Sequence, residues 1–174
     1  MTSPNDPLRF RTGHEMKNRF MLAPMTNTQS FENGHLSDDE YKWLTMRSKG
    51  QFGLVMTCAA HIHPLGKGFP GQLGVFADEH IDDHKRLATG IKEYENLAVI
   101  QLHHAGMRSP ERLIGEAPLC PSDNDEFGAR AMTNDEIKQL RDDFIAGAIR
   151  SKTAGYDGIE VHGAHGYIVN QFLS

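Results

Sequence analysis

Cysteine is scarce in this chain of 174 residues: Cys58 and Cys120 are the only two, too few for a disulfide scaffold and in no zinc-ribbon spacing. No apolar run approaches the ~20 residues of a membrane helix, so no membrane span is expected. The first seven residues, from Met1 to Pro7, have neither the basic end nor the apolar stretch of a secretory leader, and a cytoplasmic location is the expectation. Lys and Arg form no cluster that could track phosphates, and 18 basic against 23 acidic residues leave a net charge of -5, so nucleic acid is not an expected partner. With 39% hydrophobic and 24% charged residues, the composition is that of an ordinary soluble globular domain. Histidine is the exception to this plainness: there are ten, and several fall where strands should end.

The apolar run from Arg19 to Met25 reads as a buried strand ended by Pro24. Ser37-Asp-Asp-Glu40 is a capping box, so a helix is expected from there to about Lys49, stopped by Gly50. Phe52 to Ala60 is continuously apolar, as in a strand covered on both faces. A second helix is expected over about Glu79 to Glu95, where Ile81, Leu87, Ala88 and Ile91 keep helical spacing. Leu97 to Leu102 reads as a third strand, followed by a long loop to about Met132 that should shape a pocket. Thr133-Asn-Asp-Glu136 opens a third helix closed by Gly155, and Asp157 to His162 is a fourth strand. Strands alternating with helices in this way imply an α/β fold with a parallel sheet. Four such units match half of an eight-stranded (β/α)8 TIM barrel, whose full size is about 250 residues. A flavodoxin-like open sheet is the rival, but no Gly-rich phosphate turn follows the first strand.

The strongest chemical signal is His162-Gly-Ala-His165-Gly-Tyr167, at the carboxyl end of the fourth strand, where barrels and open sheets place their sites. Two imidazoles can hydrogen-bond an oxygen that gains negative charge, and a phenol can hand a proton to a carbanionic carbon. Read blandly, they are loop histidines packed beside glycines. A third reading gathers them with His61, His63, His103 and His104 into a zinc site, as in a metal-dependent barrel hydrolase. Gln101 interrupts an apolar strand and should therefore have a partner, either backbone or the paired N–H and C=O edge of a ring. Pro24, Met25, Thr26, Ala59 and Ala60, at the ends of the first two strands, offer flat surfaces and backbone groups.

Taken together, Ala-Pro-Met-Thr26, Gln-Leu-His-His-Ala-Gly106 and the run from Gly155 through His162, His165 and Tyr167 to Ser174 resemble the old yellow enzyme family of flavin-dependent ene-reductases. The resemblance runs from about Leu8 to Ser174. It implies flavin mononucleotide (FMN) lying across the carboxyl ends of barrel strands. Pro24, Met25 and Thr26 would line it, Ala59 and Ala60 would meet its O4/N5 edge, and Gln101 would bond its pyrimidine ring. His162 and His165 would grip a substrate carbonyl, His162 also lying near the flavin, and Tyr167 would donate the proton. NADPH or NADH would reduce the flavin in a ping-pong cycle, and an enone-type alkene would then accept hydride in the same pocket. No metal belongs to this set. The family usually has arginine after His-x-Gly, where this chain has Met107 and then Arg108. Thr26 matches the yeast and plant branch, whereas the paired histidines look bacterial.

By the same resemblance, residues 1–174 would form the amino-terminal half of a flavin-dependent barrel domain, strands one to four. Strands five to eight, with their phosphate-binding loops, are then expected from a second polypeptide, in an assembly that can oligomerise further. An inactive fragment kept for binding or assembly is the alternative that lacks enzymatic activity.

Overall fold

The computed structural model describes residues 2–174. It opens with a short antiparallel hairpin, β1 (Leu8–Arg9) and β2 (Glu15–Met16), two residues to a strand and so without an apolar run to announce it. A parallel sheet follows, formed by β3 (Met21–Leu22), β4 (Leu54–His61), β5 (Leu97–His103) and a last strand, β8 (Gly158–Val161), in that order across the sheet. The helices between them are α1 (Asp38–Lys49) and α2 (Ile81–Lys92). Beyond β5 come the single-turn α3 (Glu111–Ile114), a parallel ladder of β6 (Leu119–Cys120) and β7 (Arg130–Ala131), and the long α4 (Asn134–Ala154). The final helix, α5 (Ile168–Leu173), has no capping signature in the sequence and was not anticipated.

The helix boundaries follow from their caps. Thr133 and Glu136 form the reciprocal box at the start of α4, with the Thr133 Oγ1 accepting from the Glu136 N–H (3.2 Å) and the Glu136 carboxylate accepting from the Thr133 N–H (2.7 Å). Gly155 ends that helix with φ 93°, a left-handed conformation that glycine adopts freely. The box at α1 is only half made. Ser37 Oγ accepts from the Glu40 N–H (3.1 Å), but the Glu40 carboxyl turns away from the helix start to the Ser30 hydroxyl and is fully buried there. The first strand is also shorter than its apolar run, because only Met21 and Leu22 pair with β4 and the chain from Ala23 to Thr26 leaves the ladder.

The sheet has two apolar faces. Ala98, Ile100 and Leu102 of β5 lie in the large core under the helices, with Val55, Leu87, Ile91 and Leu140. Leu97 and Val99, one residue out of phase, pack on the opposite face with Leu54, Met56 and the hairpin residues Leu8 and Met16. The hairpin thus fills one end of the inner face. Near the other end, β4 carries a bulge: Met56 pairs with Val99 and Ala59 with Gln101, so Thr57 and Cys58 together oppose Ile100. The fully buried Thr57 hydroxyl repairs the interruption, donating to the Cys58 carbonyl (2.7 Å) and accepting from the Gln101 N–H (3.3 Å). At the margins of the sheet, Met21, Ile159 and Val161 are exposed.

Candidate active site

The bulge sets the row of residues that opens the site. Ala59 pairs with Gln101 and Gln101 with Glu160, so three adjacent parallel strands place these side chains on one line at their carboxyl ends. The line borders a cavity of about 580 Å³, within the usual range for small-molecule sites. Pro24, Met25, Thr26, Ala59, Gln101, His162, His165 and Tyr167 all line it. Ala60 does not: strand alternation turns its fully buried methyl into the core beneath the helices. The loop between Met107 and Met132, expected to shape the pocket, contributes no lining residue. Leu119 and Met132 instead border a separate hollow of about 200 Å³ with His63 and His104.

Gln101 has a partner that sequence reading missed. Its Nε2 donates to the Glu160 Oε1 at 2.6 Å, across neighbouring strands. One amide hydrogen and the carbonyl oxygen take no protein partner among the described residues, leaving a donor and an acceptor side by side. Glu160 could have been found from the period of β8, which puts it on the same face as His162.

The His/Tyr loop is held from behind. The Ile168 N–H donates to the His104 carbonyl (3.1 Å), and the Gln171 amide spans the two loops by donating to Gly166 O (2.7 Å) and Ala105 O (3.3 Å) while accepting from the Met107 N–H (3.2 Å). Gly106, at φ 63°, lies where a Cβ would run into the Gln171 carboxamide. Arg108 packs on Gly166, at the back of the same loop.

Within the loop, His162 Nδ1 accepts from the Ala164 N–H (3.3 Å), which assigns the proton of the neutral ring to Nε2. That Nε2 faces the His165 Nδ1 at a long 3.4 Å. Burial, reinforced by the neighbouring His165, lowers the His162 pKa and favours the neutral ring. His165 is exposed and sits at φ 60°, a conformation that side chains other than glycine adopt rarely. The Tyr167 hydroxyl has no protein partner among the described residues, and its ring lies 5.1 Å from that of His162 and 4.4 Å from that of His103.

The histidines after β4 and β5 do not converge as zinc ligands. His61 Nδ1 donates to the His63 carbonyl (3.0 Å), His63 Nδ1 accepts from Leu65 N–H (3.1 Å) and His104 Nδ1 accepts from Gly106 N–H (3.0 Å). They brace loop backbone. Among the described residues, His35, Glu79 and His80 bring ligand atoms within 4.8 Å of one another, but none of them lines the cavity. Both nitrogens of His80 are taken up by the backbone of Ala77 and Asn33.

The donor set suits a planar heterocycle with adjacent N–H and C=O groups: Gln101 offers the matching pair from a buried position, and Pro24, Met25 and Ala59 supply apolar surface beside it. The residues present therefore fit a flavin ring. Comparison with known proteins agrees. The sequence model of the NADH:flavin oxidoreductase / NADH oxidase family matches residues 6–174. The chain is 38% identical over 173 residues to the probable NADH-dependent flavin oxidoreductase YqiG of Bacillus subtilis, covering 97% of this chain and 46% of that protein. It is likewise 38% identical over 166 residues to an NADPH dehydrogenase of Bacillus pumilus, covering 93% of this chain and 48% of the relative. Among solved structures, the old yellow enzyme homologue from Zymomonas mobilis superposes with a TM-score of 0.89 at 27% identity, over 98% of this chain and 51% of that one. Morphinone reductase in complex with tetrahydroNAD gives 0.91 at 25% identity, over 100% and 53%. The chain spans about half the length of the relatives it matches. It belongs to the NADH:flavin oxidoreductase / NADH oxidase family, whose cofactors are FMN and a reduced nicotinamide, and it forms half of the family's α/β barrel.

Proposed function

We propose that this chain is the amino-terminal half of a cytoplasmic FMN-dependent ene-reductase that uses NADH or NADPH to reduce the C=C bond of α,β-unsaturated carbonyl compounds. The observation that carries the reading is one cavity bordered both by the Ala59–Gln101–Glu160 row and by the His162, His165 and Tyr167 cluster. When bound, FMN supplies hydride transfer, from a reduced nicotinamide in one half of the cycle and to the alkene β-carbon in the other. Gln101, its amide turned by Glu160, bonds the pyrimidine edge. Pro24, Met25 and Thr26 cover the ring from the first strand, and Ala59 leaves room beside it.

On the substrate side, the His162 Nε2–H exchanges its long bond to His165 for the carbonyl oxygen, and His165 adds a second donor. Neutral N–H donors suit an oxygen that becomes enolate-like, an interaction worth a few kcal/mol when preorganised. Tyr167 gives its hydroxyl proton to the α-carbon while hydride arrives at the β-carbon, and the phenolate regains its proton from solvent. The product has gained one hydride and one proton across the former double bond.

Strands five to eight and the phosphate loops come from polypeptide outside these 174 residues, which in this reading is a second chain seated against the exposed edges at Met21 and Val161. The test is reconstitution with the family's other half, followed by native mass spectrometry and turnover. A complex of both chains with one FMN and enone-dependent oxidation of NAD(P)H is expected. Absence of turnover in a flavin-loaded complex would overturn the ene-reductase reading. In the same complex, His162→Ala with His165→Ala should weaken binding of a phenol by about tenfold or more, and unchanged affinity would remove the carbonyl grip.

A further inference from the structure

Beside Tyr167, His103 also borders the cavity, and with the buried Gln72 it forms a pair that the proposed reaction has not used. Gln72, in the loop after β4, is fully buried, and its amide orientation is fixed by two backbone groups. Gly68 N–H donates to its Oε1 (2.7 Å), and its Nε2 donates to the Ala59 carbonyl (3.0 Å). The other Nε2 hydrogen therefore points at His103 Nδ1, 3.0 Å away, which has to accept it. A neutral ring that accepts at Nδ1 carries its proton at Nε2. Burial keeps the ring neutral, holding its pKa down to about 3, with the neighbouring His162 and His104 disfavouring a further proton.

His103 Nε2 is thus an obligatory donor, yet it is buried and has no hydrogen-bond partner among the described residues. Leaving a buried donor unpaired is costly, so even a weaker acceptor stabilises it. The ring stands nearly perpendicular to that of Tyr167, at 79° and 4.4 Å between centroids, an edge-to-face pairing that brings the Tyr167 ring within reach of such a weak acceptor contact. The next nearest ring, His162, is farther off at 5.5 Å and tilted by 49°.

We infer that Gln72 locks His103 as its Nε2–H tautomer and that His103, through its N–H against the Tyr167 ring, is a positioning residue for the proton donor. The lock is independent of the function proposed above, and only the role of Tyr167 rests on that reading. His103 sets where the phenol stands relative to the substrate carbon. Misplacement of a proton donor by a fraction of an ångström slows the step that uses it and leaves the other half of the cycle comparatively untouched.

Two measurements on the protein assembled with its other half test this. Long-range ¹H–¹⁵N NMR of ¹⁵N-histidine protein should show His103 protonated at Nε2 alone from pH 8 to pH 5, with mixed tautomers in Gln72→Leu. An Nδ1–H tautomer in the wild type would overturn the lock. Rapid-reaction kinetics should then show that His103→Phe lowers the ratio of alkene-driven flavin reoxidation to nicotinamide-driven flavin reduction by about tenfold. His103→Gln, which keeps a donor, should restore most of that ratio. An unchanged ratio in His103→Phe defeats the positioning role even if Gln72→Leu does not fold. An unchanged ratio in Tyr167→Phe would instead show that Tyr167 is not the proton donor, with the tautomer result standing on its own.

Discussion

Glu160 holds the Gln101 carboxamide at 2.6 Å from the neighbouring strand, and this bond decides which end of the amide is left for a ligand. Hydrogen bonds to a charged partner contribute about 1.5–3 kcal/mol. Glu160→Ala should therefore weaken FMN binding in the assembled protein by at least about tenfold, read by quenching of flavin fluorescence. Glu160→Gln, which can still accept, should lose less. Equal affinity in all three proteins would mean that the pair does not face the flavin.

Thr57 is a second joint of the site, since its hydroxyl closes the bulge in β4 and accepts from the backbone of Gln101. Thr57→Val keeps the shape and leaves a buried N–H unpaired. A loss of about 1–3 kcal/mol in urea unfolding is expected, without a change in m value. A variant as stable as the wild type would show that the bulge does not depend on that hydroxyl.

Gly106 leaves no room for a side chain. At φ 63° and against the Gln171 carboxamide, Gly106→Ala combines left-handed strain with a collision, and about 1–3 kcal/mol of destabilisation should follow. Because Gln171 ties the loop after β5 to the His/Tyr loop, amide exchange at Gly166 and Tyr167 should quicken as well. Protection unchanged at those amides would separate the two loops.

Acid should unfold the protein early. Burial depresses His61 and His84 to about 4 and His103 and His104 to about 3, each from 6.5. In the unfolded chain these rings take up protons near 6.5 while the folded protein refuses them. Their contribution is complete above that pH and falls, each by about 1.4 kcal/mol per unit, as pH drops towards 4. Glu40 works the other way, because its burial raises the carboxyl pKa and lets the folded state bind a proton first. Four histidines outweigh one glutamate, so the urea midpoint should decrease between pH 7 and pH 5. A midpoint that holds or rises would refute this balance.

Much of this architecture can be read from residue order. Strand, helix and cap signals coincide along α4 because Thr133, Glu136 and Gly155 act locally, within one turn of the atoms they satisfy. The cavity residues were legible for a similar reason, as strand ends and the His/Tyr motif are local features. What escaped depends on partners far along the chain. Glu40 matches a capping box in sequence, yet Ser30 captures its carboxyl, and nothing in the spacing announces that. Gln72 and Glu160 became functional candidates only when β4, β5 and β8 were side by side. Ala60 was placed one residue wrongly by a reading that treated strand ends as interchangeable, whereas alternation across the sheet distinguishes the two alanines.

The bulge in β4 has a consequence for chemical survival. Had the ladder kept its register beyond Met56, Cys58 would stand opposite Gln101 and turn its thiol into the cavity. A thiolate at that position would be open to alkylation by any electrophile that enters the cavity. The offset instead places Cys58 out of reach, buried and close to Glu40, with burial foremost pushing its thiol far above the ordinary range. One residue of offset thus keeps the thiol away from whatever occupies the cavity.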